Sequence, residues 1–375
     1  MGKKVRHSGR ECKAIRLLDG ERAFVGADVH KETYSVSVWT DRRERVAQWV
    51  QPADPMALVR RLKPVRARVA TVVYEAGPTG FTLARVLRQH GLPAEVVAPS
   101  KTPVARGPSS KCDRLDADHL AFLASKEMLK TIYVPTVHEE ADRQMVRRRH
   151  QLARERRRIK HRINSFLLQH QLDVPGRSGN SWSGAAVAAL RQVKLGDALR
   201  WCLDSLLDDL DHLCRQVRAA DGALAELLGA ERHTTAAALL DRVPGIGGVT
   251  IATFLTEMPR PKRFARGDEV VSFVGLAPRV RRSGSVTRTG PIGKAGNATL
   301  RTVLVEAAWS WVRCDPAAKV LFRRLVTNTA CGQKAIVGVA RRLALLLWRI
   351  VTTGEVYEAC KEGKDDDTVD ASPGA

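Results

Sequence analysis

The chain reads AFVGADVHKETYSVSVWT at residues 23–40, and its architecture can be worked out from this segment. The segment predicts a strand rich in β-branched and aromatic residues, with a partner strand near residues 46–50. One acid, Asp28, interrupts the apolar part of the strand between Ala27 and Val29. A carboxylate in such a place is disfavoured unless it has a partner or binds a metal ion. Asp28 is therefore the first candidate functional residue.

Two later segments carry acids in comparable places. VRARVATVVYEAG (65–77) predicts a buried strand whose last residue is Glu75, and KCDRLDADHLA (111–121) opens a helix predicted over 113–130. In that helix Asp113 and Asp116 are three residues apart and share a face. With a helix at TLARVLRQHG and a strand at AEVVAPS, the order is strand, strand, helix, strand, helix, strand, helix. This order predicts an α/β sandwich.

If the strands of Asp28 and Glu75 are neighbours, all four carboxylates meet at one edge of the sheet. Hard divalent cations such as Mg²⁺ prefer carboxylate oxygens, and two of them can stabilise the attacking and leaving oxygens of phosphodiester cleavage. The pattern therefore indicates a metal site built from Asp28, Glu75, Asp113 and Asp116. The alternative is four ordinary solvated acids among the forty of the chain. Flanking cations could bind phosphate, although surface solvation is the simpler interpretation: His30, Lys31, Lys111 and Arg114.

Charge and composition indicate a polyanionic partner. The chain carries 62 Lys and Arg against 40 Asp and Glu, and this formal net charge of +22 favours nucleic acid as the partner. Its length of 375 residues favours more than one domain. The seven cysteines contain no CxxC pair, so neither a zinc site nor a disulfide framework is indicated. No signal-peptide or membrane-spanning pattern occurs. We expect a cytoplasmic, nucleoid-associated protein with no membrane partner.

The middle of the chain predicts two long helices. Residues 139–171 contain ten Arg and Lys, with a thin apolar seam at every seventh position: Met145, Leu152, Ile159 and Phe166. A clearer heptad seam follows: Leu203, Leu206, Leu210, Leu213, Val217, Ala220, Leu224 and Leu227. Such helices can pair within one chain or across a dimer, and periodicity alone does not distinguish the two.

The last third of the chain opens with VPGIGGVTIATFLTEM (243–258), which is typical of helix-hairpin-helix turns whose backbone amides contact phosphate. Residues 260–301 carry ten cations, two acids and several glycines, and predict a flexible basic loop. Helices are expected at 300–312, 317–326 and 336–351. The predicted divisions are a basic tail (1–22), an α/β catalytic domain (23–135), a helical coiled-coil region (136–235), a mainly helical C-terminal domain (236–356) and a disordered acidic tail (357–375).

The motifs resemble those of the DEDD transposases of the insertion-sequence family IS110, whose N-terminal domain is similar to the RNase H-like RuvC resolvase. The matching segments are GADVHKETYSV, VVYEAGPTGFTLARVL and KCDRLDADHLAFLA, followed by VPGIGGVTIATFLTEM and FVGLAPRVRRSGSVTRTGPIGKAGNATLRTVLVEAA. The resemblance implies that Asp28, Glu75, Asp113 and Asp116 hold Mg²⁺, with Mn²⁺ as a possible substitute. It also implies relatedness to Piv-like invertases and RNA-guided bridge recombinases.

In that family a C-terminal serine attacks the DNA phosphate, and the matching position is Ser283, with Ser285 as a rival. Without the resemblance, both would be interpreted as linker serines. Nearby residues would hold nucleic acid: Arg279, Arg281, Arg282, Arg288, Lys294, Asn297 and Arg301.

The resemblance further implies a DNA recombinase that works as a dimer or tetramer and is guided by a structured RNA. Two alternatives stay open at this point. One is a junction resolvase or nuclease that uses the acids alone, and the other is a non-catalytic nucleic-acid-binding protein.

Overall fold

A computed structural model describes residues 14–103, 113–173, 181–283, 286–293 and 296–358. The chain divides into two compact units, Met1–Thr136 and Val137–Ala375. The division falls one residue after residue 135, the predicted end of the α/β catalytic domain. The predicted middle and C-terminal regions lie together in the second unit.

The first unit is built on a mixed six-stranded sheet. Its strands are β1 (Ala23–Val29), β2 (Thr33–Thr40), β3 (Arg45–Pro52), β4 (Val69–Glu75), β5 (Ala94–Val97) and β6 (Thr131–Ile132). Their order across the sheet is β3-β2-β1-β4-β5-β6. The β1–β4 and β4–β5 pairs are parallel, whereas β1–β2, β2–β3 and β5–β6 are antiparallel. The prediction of an α/β fold for this part of the chain is confirmed.

One prediction in this unit is wrong. Residues 23–40 form two antiparallel strands joined by a turn, rather than a single strand. The turn consists of the polar residues His30, Lys31 and Glu32, and the backbone N–H of His30 donates to the carbonyl oxygen of Thr33 at 3.0 Å. Because this turn contains no Gly, Pro or Asn, the usual turn signals are absent from its sequence.

Helices cover both faces of the sheet. The helices are α1 (Pro55–Leu62), α2 (Thr82–Gln89) and α3 (Asp113–Ser125), the last ending five residues before its predicted end. Successive strand residues point to opposite faces. Val25 and Ala27 belong to the core that contains Leu58 of α1 and Leu87 of α2, whereas Phe24 packs with α3. Asp28 therefore lies on the face of β1 that α3 covers.

The described end of the predicted N-terminal tail packs onto this unit. The side chain of Glu21 is fully buried, and its two carboxylate oxygens each accept a hydrogen bond of 2.5 Å from the guanidinium of Arg43. The bond from Arg43 lowers the pKa of Glu21 to about 2. Residues 14–22 therefore include an anchored segment rather than only a solvated tail.

The second unit is mainly helical. Its elements are α4 (Val137–Gln169), α5 (Gly184–Gln192), α6 (Asp197–Gly229), α7 (Glu231–Asp241), α8 (Gly248–Glu257), α9 (Gly267–Val274), β7 (Pro278–Ser283), β8 (Val286–Ile292), α10 (Ala298–Cys314), α11 (Pro316–Thr329) and α12 (Gly332–Thr353). The predicted turn at VPGIGG does connect two helices, α7 and α8. The central core combines apolar residues of α8, α9, α10 and α12, among them Phe254, Val274, Leu304 and Leu347.

The two long helices, α4 and α6, pair within the chain. Ile163 near the end of α4 packs with Leu203 near the start of α6, and Val146 packs with Leu224, so the two helices are antiparallel. The expected seams are confirmed in part. Several predicted positions are buried, namely Leu152, Ile159, Leu203, Leu210, Val217, Leu224 and Leu227.

The strict seven-residue repeat is wrong at some positions of these helices. Met145 is 41% exposed and its neighbour Val146 is buried, while Leu207 is fully buried and Leu206 only partly. A straight α-helix drifts by about 20° per heptad, so a seam followed over 33 residues moves onto neighbouring positions.

The prediction of a flexible basic loop over 260–301 is also wrong. The described residues there form α9, the β7–β8 hairpin and the start of α10. Two of the glycines that suggested flexibility have structural roles. Gly275 ends α9 with φ of +80°, and a Cβ on Gly296 would lie 2.7 Å from the Cα of Gly275. Backbone conformation and close packing therefore explain these glycines.

We expect Gly26→Ala to destabilise the first unit, because a Cβ on Gly26 would lie 2.1 Å from the carbonyl oxygen of Ala117 and 2.5 Å from the amide nitrogen of Ala121. Displacing a helix backbone in this way costs about 1–3 kcal/mol or more. Gly222→Ala in the exposed middle of α6 is the matched control, since nothing lies within 4 Å of its added Cβ. Urea unfolding measures both, and equal stability of the two variants would contradict the packing argument.

Candidate catalytic centre

Asp28 is the last residue but one of β1. Its backbone pairs with Ser35 of β2, and its carboxylate is 22% exposed. Its Oδ2 lies 3.0 Å from Nε2 of His30, whose side chain is 53% exposed. The acid is therefore accessible from solvent at the end of a buried strand.

Glu75 ends β4, the parallel neighbour of β1. The last residues paired between these strands are Ala27 and Tyr74, and both belong to the core that contains α1 and α2. Asp28 follows Ala27 and Glu75 follows Tyr74, so both acids lie on the face of the sheet opposite to that core, at the carboxyl ends of adjacent strands. The condition on which the predicted site depended, that these two strands are neighbours, is met.

The contacts of α3 show where its first turn lies. Leu120 and Ala124 pack with Phe24, whereas Ala117 and Ala121 lie against Gly26 further along β1. Because α3 runs antiparallel to β1, its N-terminal turn lies toward the end of the strand that carries Asp28.

Asp113 begins α3, one turn before Ala117, and Asp116 is one turn before Leu120. Asp116 is exposed, and the side chain of Asp113 lies outside the described part of the structure. Among the side chains that the structure does describe, no group of three or more His, Cys, Asp and Glu residues is arranged to hold a metal ion. The fold thus brings Asp28, Glu75 and the start of α3 to one end of the sheet, and the four-acid ligand set stays a prediction.

Ser283 is the last residue of β7, where its backbone pairs with Val286 of β8. Arg281 and Arg288 are paired across the same hairpin, and Arg282 pairs with Thr287. The side chains of Ser283 and of these three arginines are outside the described structure, as are Lys111, Ser285 and Lys294 altogether. Arg279 is exposed at the beginning of the hairpin.

The comparison with known proteins is consistent across most of the chain. A family model for DEDD transposases of IS110 elements, described as a transposase, matches residues 25–171, and the transposase IS116/IS110/IS902 family model matches residues 237–323. The putative transposase y4rJ of Sinorhizobium fredii is 31% identical over 92% of this chain and 95% of its own length. The protein belongs to the IS110 family of transposases.

Two further relatives agree with this assignment. The putative transposase y4qE of Sinorhizobium fredii is 32% identical over 79% of this chain and 73% of its own length. The transposase for insertion sequence element IS1111A of Coxiella burnetii is 25% identical over 93% of both chains. The chain is thus a DNA transposase, an enzyme class that binds DNA and often forms oligomers. Its DEDD domain generally implies the use of divalent metal ions. Within the described part of the transposase, no helix is long and apolar enough to cross a membrane.

A third acid in α3 of the transposase, Asp118, was not predicted to have a role. Its Oδ1 accepts hydrogen bonds from Oγ of Ser37 at 2.6 Å and from Nε1 of Trp39 at 2.8 Å, and lies 3.6 Å from Nη1 of Arg45. These contacts attach α3 to β2 and β3. In the sequence, Asp118 differs from Asp116 only in its position two residues further along the helix, which places it off the face that Asp113 and Asp116 share.

A buried carboxylate in the second unit was also missed. Glu257, at the end of α8, is 2% exposed and accepts hydrogen bonds from Nε and Nη2 of Arg147 at 2.6 and 2.9 Å. It also accepts a bond of 2.7 Å from Nδ2 of Asn297. An acid that ends the apolar helix VTIATFLTE is the signal that could have indicated a buried pair.

Two of the predicted nucleic-acid contacts lie within α10 and its cap. Asn297 caps α10, with Oδ1 accepting from the backbone N–H of Leu300 at 3.0 Å, while its Nδ2 donates to Glu257. Both polar groups of Asn297 thus have partners inside the protein. Arg301 is partly buried, and its Nη1 has no hydrogen-bond partner among the described residues.

We expect Asp118→Ala to lower the free energy of unfolding by about 1–3 kcal/mol, because two partly buried donors lose their acceptor. Asp116→Ala, two residues away on the same helix, removes an exposed carboxylate and should change stability by less than about 0.5 kcal/mol. Thermal and urea unfolding of the two variants make the comparison. If Asp116→Ala is the more destabilised variant, the structural role assigned to Asp118 is wrong.

We expect Glu257→Ala to destabilise the second unit by about 1–3 kcal/mol, since Asn297 and the partly exposed guanidinium of Arg147 lose a buried acceptor. Glu226→Ala, which removes an exposed carboxylate from α6, is the control and should be nearly neutral. Unfolding followed by circular dichroism measures the difference, and similar stability for both variants would contradict the importance of this contact.

Proposed function

We propose that the transposase cleaves and rejoins DNA strands through a covalent serine–DNA intermediate, with Asp28, Glu75, Asp113 and Asp116 holding divalent metal ions. The observation that carries the proposal is the pairing of β1 with β4, because it makes Asp28 and Glu75 neighbours on one face at the carboxyl end of the sheet.

The donor chemistry fits Mg²⁺, with Mn²⁺ as a substitute. The four acids offer carboxylate oxygens only, which are the ligands that hard divalent ions prefer. Asp28 is partly exposed and Asp116 is exposed, so neither is enclosed in apolar surroundings. When bound, such ions stabilise the charge on the oxygens of a phosphodiester during displacement.

Ser283 is proposed as the nucleophile. Attack of its Oγ on phosphorus forms one phosphoester bond as one bond within the DNA strand breaks. The number of phosphoester bonds is therefore unchanged, and a strand hydroxyl can reverse the step and rejoin DNA without an external energy source. Ser283 is the last residue of β7, and Ser285, two residues further along the sequence, is the rival nucleophile.

Two features of the proposal rest on family membership alone. One is guidance by a structured RNA that pairs with DNA, which would leave backbone and shape recognition to the protein. The other is a dimer or tetramer as the active form. The basic hairpin side chains predicted to hold nucleic acid are Arg279, Arg281, Arg282 and Arg288, with Lys111, Lys294, Asn297 and Arg301 as further candidates.

A second function competes with this one. A junction resolvase or nuclease that used the four acids alone would activate water, release free strand ends and be indifferent to Ser283. The partly exposed Asp28 at the carboxyl end of β1 is equally compatible with that chemistry, so the serine is the residue that distinguishes the two functions.

We expect Ser283→Ala to abolish a covalent protein–DNA adduct on a circular junction of the element's ends, with the element's RNA and Mg²⁺ present, because the attacking oxygen is removed. Ser285→Ala should retain the adduct, and a chelator should abolish it in the wild type. Denaturing gels with end-labelled DNA and peptide mapping of the adduct provide the measurement.

The control outcomes separate the alternatives. Cleavage that persists in Ser283→Ala with free ends would favour the nuclease, and an adduct lost only in Ser285→Ala would transfer the role to Ser285. Binding without metal-dependent cleavage, unaffected by Asp28→Ala, would favour a non-catalytic protein.

A further inference from the structure

A basic groove lies in the second unit, between α9, α11 and α12, and none of the residues predicted to contact nucleic acid is among its described lining. Its cavity has a volume of about 700 Å³. Five arginines line it: Arg266, Arg324, Arg341, Arg342 and Arg349. We call it the arginine groove. Its size falls within the range of roughly 300–1,000 Å³ that is usual for ligand-binding clefts.

Little negative charge opposes these arginines. Asp268 is the one acid among the described residues that line the groove. Arg349 lies 3.2 Å from Glu355 in a pair that is 58% exposed on both sides, and such exposed pairs are weak. Within the described part of the chain, the side chains of Arg266, Arg324 and Arg341 have no hydrogen-bond or ion-pair partner. The groove therefore offers several guanidinium groups to an anionic ligand.

The floor of the arginine groove is apolar. Leu321, Leu325, Leu345 and Trp348 line it and are partly buried. Nε1 of Trp348 donates a hydrogen bond of 3.0 Å to the carbonyl oxygen of Pro261, which fixes the orientation of the indole. Apolar side chains make no favourable contact with a bare phosphate, whereas nucleic-acid bases can lie on apolar and aromatic side chains.

Two glycines maintain the shape of the floor. A Cβ on Gly267 would lie 2.8 Å from Cδ2 of Leu345, and one on Gly338 would lie 2.9 Å from Cδ1 of Leu325. Larger residues at these positions would push the leucines out of their present places. The glycines of α9 and α12 thus leave room for the present positions of Leu345 and Leu325 in the lining of the groove.

We propose that the arginine groove binds an unpaired segment of a DNA strand, with phosphates at the arginines and bases on the leucine and tryptophan floor. Guanidinium groups above an apolar and aromatic floor are the combination that single-stranded nucleic acid requires. A duplex presents its bases stacked inside and would leave the floor without a ligand. Asp268 is the one side chain described in the lining that could accept a hydrogen bond from a 2′-hydroxyl.

The choice of DNA rests on the proposed strand chemistry, because cleavage and exchange transiently release unpaired strand. The binding itself does not depend on Ser283 or on the four acids. It can therefore be measured separately, by equilibrium binding without metal ions.

The test compares Arg324→Glu with Arg323→Glu, neighbouring charge reversals on α11. Both arginines are exposed, and only Arg324 lines the groove. The probe is a fluorescent 12-nucleotide oligodeoxythymidylate, with a duplex of equal length and oligouridylate alongside, and anisotropy gives the Kd. We expect Arg324→Glu to weaken oligodeoxythymidylate binding about tenfold and Arg323→Glu less than about twofold. The double variant Arg324→Glu/Arg341→Glu should lower the slope of log Kd against log salt by about 1.4, as for two lost phosphate contacts.

The floor is tested with Trp348→Leu, which should weaken unpaired DNA about tenfold with little effect on duplex, and Trp348→Phe, which should restore most of the affinity. Trp348→Leu also loses the hydrogen bond of the indole, so thermal unfolding must first show that this variant is folded. If it is unfolded, the Arg324→Glu variant alone decides whether the groove binds unpaired DNA.

Several results would overturn the proposal. They are equal losses in Arg323→Glu and Arg324→Glu, unchanged oligodeoxythymidylate affinity in the double variant, an equal loss for the duplex, or a larger loss for oligouridylate. Ser283→Ala should bind the oligonucleotide like the wild type. Failure of the groove would therefore leave the serine adduct unaffected, and failure of the adduct would leave the groove unaffected.

Discussion

The arrangement of the first unit depends on one close contact, in which the backbone of α3 lies directly on Gly26 of β1. Because Gly26 has no side chain, Ala117 and Ala121 approach the strand without an intervening layer. This contact fixes both the height of the helix above the sheet and its position along β1. It therefore determines where the first turn of α3 lies relative to Asp28 and Glu75. Neighbouring carboxylates repel one another in the absence of a cation, so packing has to hold such a group of acids together.

In the second unit, ionic contacts to buried carboxylates hold α4 against its neighbouring helices. Asp142 of α4 accepts hydrogen bonds from Arg232 and His233 of α7, and Arg147 of α4 donates to Glu257 of α8. Although burial alone raises the pKa of the Asp142 carboxyl, the bonds from Arg232 and His233 hold that pKa below its usual range. Only the carboxylates of these pairs are buried, since the side chains of Arg232 and Arg147 are 51% and 42% exposed. Removal of either guanidinium would leave a buried carboxylate without its cationic partner, which is costly. The apolar seam of α4 is thin and would fix its position only weakly. We therefore interpret these contacts as selecting one placement of α4.

The sequence was sufficient for the α/β class, for the strand of Glu75 and for most helices, because long apolar runs and periodic patterns are local properties. It did not separate β1 from β2 at residues 30–32. It was insufficient where the outcome depended on distant residues. The pairing of β1 with β4 could be stated only as a condition, because the sequence of a strand does not show which strand it pairs with. Asp116 and Asp118 are chemically identical and two residues apart, and the contacts with the hydroxyl of Ser37 and the indole of Trp39 identify Asp118 as the structural acid. Glycines between 260 and 301 suggested flexibility, whereas Gly275 and Gly296 are in contact with each other.

The net charge of +22 overstates the charge available to DNA, and the helices show why. On α5 and α6, Arg191 and Arg200 are occupied by Asp204, Asp208 and Asp211. On α4, Arg149 is bonded to Asp221, whereas Arg154, Arg157, Arg158 and Arg162 are exposed. A guanidinium that already has a carboxylate partner gains less from a phosphate, because it must exchange one charged acceptor for another. Polyanion binding therefore depends on where arginines without a carboxylate partner concentrate. The arginine groove contains three of them, Arg266, Arg324 and Arg341, and its apolar floor gives it a preference that charge alone cannot provide.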